Sequence, residues 1–332
     1  MASRGTEYEF DVFWSHSGEQ KDFVIELDSR LCNLRGSWKA GFNNFLDTKH
    51  NSLPAGQNFP PNIDNAIEKS RIAVVIISKS FLRRWWPMQE LSAFQETRAI
   101  ILPVFYGVKP SELASHNSDT RVAEWRQLHP HLTDKTAIRW ITALDDIRSK
   151  SGYEIASSIG DVNSPKLQRR LLSDISLLLA AQVLKEERVD SENLGWACKD
   201  IDEELSAKNH TAEHMENSAA LLLKWNVIPY LVAHMKFLHE TDDPVIKCAG
   251  WALDHIFYHS PNANVKGEAV RAGAVEVLAD MLRNEDGAKP AAFCLRSILG
   301  STSTCNKACH KLNVINELSN GAIVGAIYGS LY

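Results

Sequence analysis

Residues Ile72 to Ile77 form an unbroken run of six apolar residues, rich in Val and Ile. Too short for a helix, and with no polar alternation, such a run reads as a strand buried on both faces. A strand buried on both faces implies a parallel sheet covered by helices. The stretch that follows, Ser78 to Leu91, predicts a helix start. Proline is favoured at the first helical position, where its missing N–H would be unpaired anyway. Pro87 therefore predicts a helix beginning near Trp86. Four residues apart, Trp86 and Glu90 share a face of that helix. An indole and a carboxylate are then expected side by side in the first turn, where the helix dipole favours an ionised carboxylate.

The chain has 332 residues, room for about two domains of ordinary size. With 44% hydrophobic residues it can bury a core, and a net charge of −5 argues against a dedicated nucleic-acid binder. Six scattered cysteines, mostly in apolar helical patterns, suit buried thiols in a reducing compartment. Met1 to Gly5 carries no apolar signal region, and no stretch has the ~18 apolar residues of a membrane span. A cytoplasmic protein without a membrane or nucleic-acid partner is the expectation.

Other strands are expected at Tyr8–Ser15, Phe42–Asp47, Ile100–Tyr106 and Tyr153–Ser157, making five in all. Between them, helices are expected up to about Leu34 and over Asn62–Ser70, with a further one from Pro165 to about Lys185. The loop His16-Ser17-Gly18-Glu19 lies at the C-terminal end of the first strand, where open parallel sheets bind ligands. Ser15, Ser17 and Gly18 are small enough to let backbone N–H groups approach a phosphate, though an ordinary turn has the same composition. His16 reads either as a surface residue or as a proton shuttle.

The run "SRIAVVIISKSFLRRWWPMQEL" resembles the third strand and following helix of plant-type Toll/interleukin-1 receptor (TIR) domains. In that family a Trp is followed four residues later by a Glu and then a Leu. Three further landmarks fall in order. Gly18 and Glu19 match the end of the family's Phe-Arg-Gly-Glu loop, with His16 and Ser17 in place of the first two. "PVFYGVKPSEL" matches the Tyr-Asp-Val-Asp-Pro-Ser run, with Gly107 and Lys109 for the two Asp. "IRWITALDDIRSKSGY" matches the late Trp-Arg-x-Ala-Leu helix and Ser-Gly turn. The resemblance covers residues 7–185. It implies an α/β, flavodoxin-like, five-stranded parallel sheet that takes NAD+ as substrate and needs no bound cofactor. It implies Glu90 as the catalytic residue and Ser15, His16, Ser17, Gly18, Gly56 and Trp86 as substrate-binding. Gly56 matches a glycine of the loop Thr48–Pro61, which in the family contacts neighbouring protomers. Self-association is implied with it. A receiver domain needs an Asp where Ser78-Lys79 stand, and a flavodoxin needs a hydroxyl- and Gly-rich first loop, so both are set aside.

The chemistry behind that implication is simple. Cleaving the nicotinamide–ribose bond builds oxocarbenium character on the ribose, as in glycoside cleavage. Nicotinamide departs neutral from a cation, so no general acid is required and a single ionised carboxylate can suffice. On residues alone Glu90 reads as a solvated helix residue; the resemblance reverses that. Trp86 reads equally as a flat wall for the nicotinamide ring or as core packing. The reading that follows is an NAD+ nucleosidase releasing nicotinamide and ADP-ribose, or a cyclic ADP-ribose, in signalling or defence. The alternative is a non-catalytic TIR scaffold that acts by self-association.

Past residue 186 the strand pattern ends and an internal repeat begins. Gly195-Trp196-Ala197-Cys198, Gly250-Trp251-Ala252-Leu253 and, more weakly, Ala292-Phe293-Cys294-Leu295 open similar helices. Second helices open at Asn226, Gly273 and Asn313, at steps of 47 and 40 residues. An all-helical repeat of ~40–47 residues reads as armadillo or HEAT solenoid. Residues 186–332 are therefore expected to form about three armadillo-like repeats that take a protein or nucleotide partner, or set the activity of the first domain. The apolar, Gly-rich end "GAIVGAIYGSLY" has no assigned place.

His210-Thr211-Ala212-Glu213-His214 has the H-x-x-E-H spacing of some zinc proteases. It sits in the variable part of the first repeat with no further ligand evident in the sequence, and Cys305 to His310 reads as a buried helix face. No metal is expected from either.

Overall fold

The computed structural model describes residues 8–34, 42–46, 59–114, 118–150, 152–155, 164–186, 189–208, 210–241, 243–260, 262, 264–283, 287–299 and 301–311. The chain divides into two compact units, Met1–Leu172 and Ser173–Tyr332.

In the first unit the order is β1 (Phe10–Ser15), α1 (Lys21–Leu34), α2 (Phe59–Glu68), β2 (Ser70–Ile77), α3 (Trp85–Phe94), β3 (Ile100–Tyr106), α4 (Ser118–Leu128), α5 (Asp134–Ser149) and β4 (Tyr153–Ile155). The strands form one parallel sheet in the order β1-β2-β3-β4. As its composition demands, β2 is buried at all eight positions. Ala73, Val75 and Ile77 share one core with residues of α2, α3 and α5. Ile72, Val74 and Ile76 are fully buried on the other face. There Trp14 Nε1 donates to Asp28 of α1 at 2.9 Å, and Asn44 Nδ2 donates to the same carboxylate oxygen at 2.7 Å. Asp28 is thus buried but satisfied, and it holds α1 to the sheet.

The five-stranded sheet is corrected to four strands among the described residues. The strand expected over Phe42–Asp47 is reduced to an isolated parallel bridge, Phe13 to Phe45, on the free side of β1. Phe45 donates to Val12 and accepts from Trp14, and the two Phe rings stack with centroids 4.7 Å apart. The neighbours explain why the ladder stops. Asn43 turns its backbone N–H to the Asp11 side chain and its own amide to the Glu9 carbonyl. Asparagine is depleted in strands because such local side-chain bonds compete with pairing. Helix α4 was missed from sequence; it buries only Trp125, whose indole donates to the Leu82 carbonyl at 2.6 Å.

Helix α6 (Pro165–Leu184) leads into the second unit. There every described element is helical: α7 (Ser191–Ser206), α8 (Ala212–Lys224), α9 (Val227–Glu240), α10 (Ile246–His259), α11 (Asn264–Arg271), α12 (Ala274–Met281), α13 (Ala288–Leu299) and α14 (Ser303–Lys311). The helices that carry the repeated Gly-Trp or Ala-Phe openings, α7, α10 and α13, pack side by side in that order. Gly250 makes the α10–α13 contact close: a Cβ there would lie 2.9 Å from Pro290 Cβ. The second helices, α9 and α12, also pack on each other, and each follows a residue in the left-handed conformation, Asn226 (φ 54°) and Gly273 (φ 92°). Among the described residues the helices with similar openings are thus neighbours in space. The repeat's third copy from Asn313, and the Gly-rich end, lie outside the described residues. No described helix is long and apolar enough to cross a membrane. Cys198 and Cys294 are buried with thiols pushed well above the ordinary range, and Cys305 and Cys309 are buried on α14.

Two stability predictions follow from this packing. A Cβ on Gly152, just before β4, would lie 2.4 Å from the Pro103 carbonyl oxygen and 2.6 Å from Pro103 Cγ. Backbone cannot give way cheaply, so Gly152→Ala is expected to lower stability by about 1–3 kcal/mol in a denaturant titration. In the helical unit, burial pushes the Asp254 carboxyl up from 3.8 to about 6, against the opposing pull of His255, Arg296 and Lys266. Its folded state holds the proton more tightly than the unfolded state, so this group stabilises most below pH 4 and loses that contribution as pH rises through 6. Asp254→Asn should therefore raise stability by about 1–3 kcal/mol at pH 7, with the gain vanishing near pH 4. A gain that is the same at both pH values would contradict this account.

Candidate active site

The C-terminal ends of β1 and β2 lie side by side, with Ser15 in register with Val75. The turn after β1 is held by buried hydroxyls. Ser17 donates to the Gln20 side-chain oxygen, and Ser78, just past the end of β2, donates to the same atom at 2.9 Å. Ser80 joins both serines, at 2.7 Å from Ser17 and 2.9 Å from Ser78. Ser17 is 2% exposed, so its side chain is spent on this network and locks the turn. His16 Nδ1 donates to the Ser17 carbonyl at 2.8 Å. A Cβ on Gly18 would meet no atom within 4 Å, so nothing in the fold requires a glycine there and the space above it is open.

Helix α3 starts at Trp85, one residue earlier than expected, and Pro87 is its third residue. Its missing N–H costs nothing there, since the first backbone donors of a helix have no intrahelical partner. The shift moves Glu90 to the sixth position. The expectation that it stands in the first turn is corrected: that turn has no acidic residue. The dipole effect fades beyond the first turn. A specific donor holds the carboxylate instead. Ser15 Oγ, at the buried end of β1, donates to Glu90 Oε2 at 2.6 Å. The distance is in the range of charge-assisted O–H···O⁻ bonds.

The adjacent tryptophans divide two tasks. Trp85 packs into the domain, edge to face with Trp140 at 5.1 Å and 4.3 Å from His131. Trp86 is 41% exposed. It lines, with Glu90 and Gln89, a cleft of about 600 Å³ between α2 and α3. Ile63, Asp64, Ile67 and Glu68 of α2 form the facing wall, and Arg139, paired with Glu96 at 2.7 Å, closes one end. The structure joins Ser15 to Glu90, sets Glu90 and Trp86 in one cleft, and holds Ser17 in the hydroxyl network of the turn. Gly56 lies outside the described residues. Sequence reasoning missed Gln20, Ser78 and Ser80. The signal for the two serines was their place directly after the buried strand.

The TIR domain family profile matches residues 9–219. The chain belongs to the TIR domain family. Three relatives show its spread. Over 115 residues this TIR protein is 30% identical to "NAD(+) hydrolase TcpA" of Theionarchaea archaeon (strain DG-70-1), covering 33% of each chain. Over 113 residues it is 33% identical to "Probable 2' cyclic ADP-D-ribose synthase BdTIR" of Brachypodium distachyon, covering 34% of this chain and 48% of that one. Over 166 residues it is 27% identical to "Disease resistance protein RPS6" of Arabidopsis thaliana, covering 47% of this chain and 14% of that one. The TIR protein therefore spans less than half the length of each of these relatives.

The division of labour between the tryptophans is testable by stability alone. Trp85→Ala empties part of an aromatic cluster and should cost about 2–4 kcal/mol. Trp86→Ala removes a half-exposed ring and should stay within about 0.5 kcal/mol of the parent. Thermal unfolding of the two variants checks this; equal losses would mean that Trp86 is a core residue.

Proposed function

We propose that this TIR protein is an NAD+ nucleosidase that releases nicotinamide and leaves ADP-ribose or a cyclic form of it, acting in signalling or defence. The observation that carries the reading is Glu90, held by the buried Ser15 hydroxyl and lining one cleft with the exposed Trp86. The names of the archaeal and Brachypodium relatives, an NAD(+) hydrolase and a cyclic ADP-ribose synthase, point the same way.

In this mechanism the Trp86 indole supports the nicotinamide ring. As the C1′–N bond breaks, its electron pair goes to the pyridinium nitrogen and nicotinamide leaves neutral. Positive charge passes to the ribose, where the Glu90 carboxylate stabilises it. Water then adds at C1′ and its proton passes to Glu90. When a hydroxyl of the same molecule attacks instead, the product is cyclic. Ser15 is a positioning residue: its hydroxyl fixes the carboxylate. Asp64 and Glu68 across the cleft suit the cationic nicotinamide end. The open turn at Gly18 suits the phosphates. Trp86 and Glu90 contact the substrate; His16, Ser17 and Gly18 shape the phosphate end.

The reading extends to the whole chain. Residues 7–185 act as the TIR domain and 186–332 as an armadillo-type solenoid in the cytoplasm. The side-by-side packing of α7, α10 and α13, with left-handed residues at equivalent places, supports that assignment. The solenoid takes a protein or nucleotide partner. TIR domains associate with one another through the loop that holds Gly56, completing the site.

Incubating the full chain with NAD+ and following nicotinamide release tests the proposal. Glu90→Gln keeps the shape of the side chain but removes its charge, and should cut release by more than about 100-fold. Ser15→Ala should cost on the order of 10-fold, chiefly in kcat, since it removes one hydrogen bond to a charged group. Turnover per molecule should rise with protein concentration. Undiminished turnover in a folded Glu90→Gln chain would sink the catalytic assignment. Self-association without any nicotinamide release would favour the scaffold reading.

A further inference from the structure

The second unit holds a cluster that the proposed NAD+ chemistry leaves unused. Glu204, near the end of α7, His210, in the loop after it, and His214, in the first turn of α8, bring one donor atom each within 4.8 Å of one another. His214 Nε2 lies 2.6 Å and His210 Nδ1 3.3 Å from the same oxygen, Glu204 Oε1. The two imidazoles are in contact, with centroids 4.3 Å apart. The three side chains are only 10–17% exposed. Glu213, the acid of the H-x-x-E-H spacing, is not among them. The third donor comes from the preceding helix, six residues before His210.

We propose that Glu204, His210 and His214 form a binding site for a divalent first-row transition metal, zinc above all. Two neutral imidazoles and one carboxylate are a common donor set for zinc with a fourth position left open. With bonds of about 2.0–2.2 Å, donors around a tetrahedral ion stand about 3.4 Å apart. The His210–Glu204 separation already has that value, and the His214–Glu204 contact needs to open by less than 1 Å. Glu204 and His214 are held in advance, while His210 Nδ1 gives up its 3.1 Å hydrogen bond to the Glu204 carbonyl on binding. Ser173 donates its hydroxyl to Glu204 Oε1, and Thr211 caps α8 by accepting from the His214 backbone N–H at 3.2 Å. Such outer partners orient ligands and raise affinity. His210 also lines a cavity of about 540 Å³, which offers room for a water or an external donor at the fourth position. The ion would tie the end of α7 to the start of α8 and rigidify the first repeat.

The test uses the full chain, stripped with a chelator and titrated with zinc chloride by calorimetry and thermal unfolding. One saturable site and a rise in Tm are expected, because an ion that binds only the folded state stabilises it. His210→Ala and His214→Ala should each weaken binding by at least the 10–100-fold that loss of an outer partner costs. Glu204→Gln should do the same; it keeps the shape of the side chain and an acceptor for Ser173, so it reads out binding even where a histidine variant fails to fold. Glu213→Gln should bind like the parent. Cobalt in place of zinc should give tetrahedral visible bands without a thiolate charge-transfer band, which separates this cluster from the six cysteines. Binding that survives Glu204→Gln, a thiolate band, or no saturable zinc binding to the parent chain would each overturn the proposal.

Discussion

A strand with no polar face must be covered on both sides and paired along both edges. That demand, made by β2, organises the first unit. All eight of its residues are buried, and its backbone pairs with β1 on one side and β3 on the other. Parallel neighbours require crossover connections, and these return as the helices that cover the two faces. The arrangement has a polar consequence. All four strands point the same way, so the turns that follow them gather at one end of the sheet. Ser15, Ser17 and Ser78 meet there because the order of the strands leaves them nowhere else.

The site is built on that end by one more step. Helix α3 leaves β2 through a short turn and comes back across the end of β1, where Ser15 takes hold of Glu90. A carboxylate half out of water would be a poor fixed charge without such a donor. The adjacent tryptophans then serve packing and cleft because successive helical residues point about 100° apart. Trp85 turns toward Trp140 while still edging the cleft, and Trp86 is the more exposed of the two.

In the helical unit the recurring constraint is close approach. Alanine, glycine and cysteine recur among the buried residues of α7, α10 and α13, and Cys294 Sγ reaches the Gly250 carbonyl at 3.5 Å. Small residues let backbones near one another, and the left-handed residues before α9 and α12 turn the chain sharply enough to return it. The Glu204–His210–His214 cluster sits in a different connection, between the end of α7 and the start of α8.

Patterns that depend on near neighbours were legible in the letters alone. The bounds of β3 and the end of α1 agree with the reading, because apolar periodicity is a local property. The family, and Trp86 with Glu90 as a pair, were legible for the same reason: both lie in one contiguous stretch. What depended on distant partners was not. Phe42–Asp47 has a strand-like composition, but in its described part Asn43 and Asn44 turn to Asp11, Glu9 and Asp28, residues 16 or more positions away. Helix α4 is polar over most of its length and is anchored by Trp125 to Leu82, 43 residues earlier. Ser15 and Glu90 are 75 residues apart, and nothing in either stretch names the other. His210 and His214 announce a spacing, yet only the packing of α7 against α8 decides that Glu204, and not Glu213, completes the set. Residue types and their periods settle which elements form. Which side chains meet is settled by tertiary packing, because donors and acceptors act over a few ångströms of space and not over positions in the chain.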